Sequence, residues 1–153
     1  MPATNNFPGS TPNCDCSASF DWQAALNRPN IRLIADNETA RLACLHQYKI
    51  LDSEPEEAFD SLTRLAAQIC ETPIALVSLI DSHRQWFKSK VGLTVNETPR
   101  QIAFCDRAIA QPDILIISDT LADERFATNP LVTDAPYIRF YAGVPLTLFN
   151  HSR

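Results

Sequence analysis

Apolar residues recur along this chain at two different periods. Between residues 38 and 48, Leu42, Leu45 and Tyr48 fall on one side of a helix, and Ala40 and Ala43 widen the stripe. Asn37 or Asp36 would cap it. After "LDS", Phe59, Leu62, Leu65, Ala66 and Ile69 return at helical spacing, opposite Glu57, Asp60, Arg64 and Gln68. Ser53 with Glu56 reads as a capping box, Pro55 suits a first turn, and Thr72-Pro73 ends the helix. The pattern then changes. "IALVSLID" (74–81) is apolar on both alternating faces, as in an interior strand covered on both sides. "DSHR" is a polar turn, and "QWFKSKV" (85–91) is a mixed strand that completes an antiparallel hairpin, with Trp86 and Phe87 on opposite faces.

Beyond the hairpin, "GLTVNETPRQI" reads as a loop and "FCDRAIAQ" (104–111) as a short helix stopped by Pro112. "ILIISD" (114–119) is a third strand, followed by a loop with one helical turn over "TLADERFATNPLVTDAP". "YIRFYAGVPLTLF" (137–149) is a fourth strand that places Arg139 and Tyr141 on one face and Phe140 on the other. The order predicts an α+β domain with an antiparallel sheet flanked by helices.

Composition narrows the function classes. A length of 153 residues suits one domain, and 45% hydrophobic with 20% charged residues is ordinary globular composition. A net charge of -5 without a basic cluster disfavours nucleic acid as a partner. No apolar run is long enough for a bilayer, and the N-terminus lacks the pattern of a secretory signal, so the expected location is cytoplasmic, away from membranes. The five cysteines are then reduced thiols. Residues 1–36, rich in Asn, Pro, Ser and Thr at their start, read as a largely disordered tail, 37–149 as the domain, and 150–153 as a C-terminal tail. Cys14 and Cys16 lack further ligands nearby, and Cys44 and His46, two apart on a helix, do not share a face, so no metal site is expected.

The blocks "RQWFKS", "GL…ETPR", "FC…AI", "D…RFA.NPLV" and "IRFYAG.PL" occur in an order and spacing that resemble the GAF domains of bacterial, often cyanobacterial, sensor histidine kinases and diguanylate cyclases. The likeness covers 37–146. It implies a cytoplasmic sensory module of signal transduction, as in two-component systems, that binds a small molecule or mediates dimerisation. It implies a homodimer through helices 38–49 and 56–71. The family places two more strands and a C-terminal helix after "FYAGVPL", so the resemblance implies a domain with its final strands missing, an unpaired edge along 74–80, and poor stability in isolation. No kinase, cyclase or reductase motif is present, so no catalytic residue is expected.

The candidate ligand pocket comprises Trp86, Phe104, Cys105, Asp119, Phe126, Arg139 and Tyr141. Cys105 reads first as a packing residue, then as pocket lining, then as a thiol for covalent chemistry. Bilin-binding GAF domains carry histidine directly after the attachment cysteine. Asp106 stands there, which argues against a covalent bilin, and no other cofactor is implied. Asp123 and Arg125 form a local salt bridge with Phe126 as an apolar plug, or else wall the pocket. Arg139 either enters the pocket, where it suits a carboxylate or phosphate, or pairs with an acid such as Asp119. The alternatives to a ligand sensor are an interaction-only dimerisation module and, further off, a redox enzyme built on the Cys105 thiol.

Overall fold

A computed structural model describes residues 38–146. The expected tails, the 36–37 cap and the last positions of the fourth strand lie outside the described residues. Helix α1 (Glu38–Gln47) leads into α2 (Glu57–Ile69), then β1 (Ala75–Ile80) and β2 (Arg84–Val91). A short β3 (Glu97–Pro99) runs into a 3-10 turn (Arg100–Ile102) and α3 (Phe104–Ala108). β4 (Leu115–Ile117), α4 (Pro130–Thr133) and β5 (Tyr141–Gly143) follow. Among the described residues the strands form two antiparallel sheets, β1-β2-β3 and β4-β5. The fold is thus α+β with antiparallel pairing.

The hairpin forms as its alternation requires, but with a bulge. Val77 pairs with Ser89 and Ser78 with Phe87, which leaves Lys88 as the extra residue. Arg84, Trp86, Lys88 and Ser89 therefore share the α2 side, while Gln85 and Phe87 face α3. Gly92 closes β2 with φ +78, and a Cβ there would lie 1.9 Å from the Pro73 carbonyl oxygen, so only glycine fits the return past β1.

Four expectations change. β3 arises inside the predicted loop, as three residues pairing Arg84–Trp86. β1, read as covered on both faces, is half-buried apart from Ile80, and among the described residues it pairs with β2 alone, as the expected open edge along 74–80 would have it. The capping box is not made. Lys88, whose side chain is fully buried, takes Ser53 Oγ (2.7 Å), the Glu54 carbonyl (2.7 Å) and the Glu56 carboxylate (2.6 Å) instead, and α2 starts one residue after Glu56. Finally, α2 buries Thr63 rather than its leucines: Leu62, Leu65 and Ile69 are 60%, 50% and 72% exposed. Asp60, placed on the outer face by sequence, accepts from Ser89 Oγ at 2.6 Å.

The main apolar core lies away from α1 and α2. Ile102, Phe104, Ala108, Leu115, Ile117, Phe126, Leu131 and Val132 pack together, with Ile138 and Tyr141 against them.

Candidate functional site

Arg100 lies at the junction of three elements. It is 5% exposed, at the start of the 3-10 turn. Its Nε donates to Asp106 of α3 at 2.6 Å, and its Nη1 donates to Glu38 of α1 and to the Asp81 carbonyl at 3.2 Å. Arg41 clamps the same Glu38 carboxylate through two nitrogens, at 2.8 and 2.9 Å, and donates to the Ile80 carbonyl at 2.7 Å. Arg41 first, and then Arg100, hold the Glu38 carboxyl down at about 2 against the opposing effect of burial. Burial works against the Arg100 charge, yet Glu38 and Asp106 outweigh it and raise its pKa.

The junction extends to the hairpin turn. Asp81 meets His46 of α1 at 3.0 Å and Arg84 at 3.5 Å. Its pKa is lowered because His46, the Ser82 amide and Arg84 outweigh burial. Arg84 in turn donates to Asp52 and Glu97, each at 2.6 Å, and these two acids raise its pKa. α1 has no fully buried residue, and these polar contacts join it to the domain beside its half-buried Leu42 and Leu45. An open groove of about 820 Å³ borders the network, with Asp81, His83, Arg84, Asn96, Glu97 and Gln101 in its walls.

On the other side of α3, Cys105 Sγ receives the Gln85 amide at 3.1 Å and the Tyr141 hydroxyl at 3.4 Å. Burial, and then Cys105, push the Tyr141 pKa far up, so its hydroxyl stays protonated. Phe104 stacks on Phe126 at 4.4 Å and on Tyr141 at 5.1 Å.

Of the seven expected pocket residues, four come together: Phe104, Cys105, Phe126 and Tyr141. Their rings pack on one another and become core. Trp86 lies on the opposite, α2 face of the sheet. Asp119 is exposed and accepts from the Leu121 amide at 2.9 Å. Arg139 is exposed and donates to the Val132 and Ile138 carbonyls, and among the described residues it makes no ion pair with Asp119. Asp123 and Arg125 form the local salt bridge, at 2.6 Å, with Phe126 2% exposed beside them. Sequence reading missed Arg100, Asp106, Glu38 and Gln85. The signal for the first two was a charge on each side of the apolar "IAF", a placement that suits a buried pair.

Among the described residues no His, Cys, Asp and Glu cluster could hold a metal ion, and no helix is long and apolar enough to cross a membrane. A family model described as GAF domain matches residues 54–152. A cyclic di-GMP phosphodiesterase of Pseudomonas aeruginosa is 40% identical over 111 residues, which is 72% of this chain and 19% of that protein. The chain thus spans about a fifth of the length of that relative.

Proposed function

The chain belongs to the GAF domain family, and from that premise we propose that it is a non-catalytic sensory module whose output is the attachment of α1. The relative is a signalling enzyme that this chain matches over a small part, which supports a regulatory role. The observation that carries the reading is the unbroken polar network from the groove, through Asp81 and Arg84, to Arg100 and Glu38. A small polar molecule in that groove competes for the same groups that anchor α1. Occupancy then shifts α1 between held and released states, by as much as the ligand's affinity differs between them. The downstream partner in this reading is an output domain of kinase or cyclase type in a cytoplasmic two-component or second-messenger pathway.

Glu38→Gln in the full chain tests the relay. Peptides of α1 should exchange amide hydrogen roughly tenfold faster, while those of β2 stay unchanged. Equal exchange in α1, or a rise spread over the whole domain, would refute it.

A second reading, an interaction module acting through a second copy of this chain, is favoured by one observation. α2 presents Leu62, Leu65 and Ile69 to solvent along one stripe.

A further inference from the structure

We propose that Cys105 is a site of reversible oxidation by small hydroperoxides, its sulfenic acid being received by Gln85, Tyr141 and Thr98. Cys105 is partly exposed, so a small oxidant reaches it. Two donors, the Gln85 amide and the Tyr141 hydroxyl, converge on its sulfur. Both hold the sulfur in place, and the thiolate is the species that peroxide oxidises.

An independent observation concerns Thr98. It pairs directly with Gln85 across β2 and β3, and opposite residues of an antiparallel pair project to the same face. Thr98 is 6% exposed, and its Oγ1 is buried without a hydrogen-bond partner. A buried hydroxyl is rarely left so, because the lost hydration is not replaced. In reduced Cys105 the sulfur already takes two donors. An oxygen added to that sulfur extends one bond further, on the face of the sheet that Thr98 shares with Gln85.

The step balances. The Cys105 thiolate attacks one peroxide oxygen, the S–O bond forms and the O–O bond breaks. Sulfur loses two electrons and the peroxide gains them. The thiol's proton ends on the leaving oxygen, released as water or an alcohol. Two equivalents of a low-molecular-weight thiol reverse it: the first displaces water to give a mixed disulfide, and the second releases the Cys105 thiol. Cys105 adjoins Asp106, which holds Arg100, so the modification also acts on α1. That consequence rests on the relay proposed above, whereas the oxidation does not.

The test uses the full chain, hydrogen peroxide and a dimedone probe that traps sulfenic acid, read residue by residue by mass spectrometry. Cys70, exposed at the end of α2, is the internal reference. Trapping at Cys105 should be at least about tenfold faster than at Cys70. An equal or slower rate overturns the proposal. Thr98→Val should leave the reduced protein at least as heat-stable but lower the trapped yield at Cys105 several-fold. An unchanged yield overturns the role of Thr98, and Gln85→Met provides the same reading from the neighbouring donor. Oxidised Cys105 with unchanged α1 exchange refutes the relay while upholding the oxidation site.

Discussion

Arg100 is a buried cation whose value depends on its partners. Removing it leaves the Asp106 carboxylate buried without its guanidinium, and an unpaired buried charge costs about 3–5 kcal/mol. Arg100→Met should therefore lower urea-unfolding stability by roughly that amount. The double variant Arg100→Met, Asp106→Leu should recover a large part of it, because both charges leave together. Additive losses would show that the two residues do not act as a pair. Single residues were unevenly legible. Asp123, Arg125 and Phe126 stand close in sequence, and their local bridge and apolar plug were one of the two readings that this closeness allowed. Arg100 reaches Glu38 across 62 positions of chain, and no periodicity carries such a pairing.

Helices and the hairpin were readable because each repeats its apolar signal over several turns or pleats. β3 was not. It has three residues, ends in proline and gains its identity from the β2 edge it pairs with. The orientation of α2 was misread because Lys88 and Ser89 draw the "SEPEE" segment and Asp60 inward, turning the helix about its axis. The polar mooring of α1 has a pH consequence. Glu38 is ionised above about 2 while held, but only above its ordinary value of 4.5 when released. Its contribution is complete above pH 4.5 and is lost as pH falls through about 2. Hydrogen exchange of α1 should rise over that window in the native chain. In Glu38→Gln it should already be fast and flat, and parallel curves for the two would refute the assignment.

At the scale of the whole molecule, antiparallel α+β architecture was legible, whereas the division of the described strands into two sheets was not. Strand-length patterns say nothing about which edges meet. Rings and aliphatic residues around Phe104 pack as core, and an open groove lies at the hairpin turn. The exposed stripe on α2 bears on assembly. If a second copy covers it, sedimentation should show a dimer at micromolar concentration, and Leu65→Glu with Ile69→Lys should shift it to monomer with unchanged circular dichroism. A monomeric native chain at those concentrations would eliminate the homodimer.

The bulge at Lys88 also changes how β2 tolerates variation. In a regular strand, side chains alternate between the two faces without interruption from end to end. Here the beat slips by one. Positions 84, 86 and 88 answer to the helix, and then 89 does so as well, out of turn. The two halves of one strand therefore obey opposite parities. A substitution rule inferred from residues 84–87 gives the wrong answer at every position after 88.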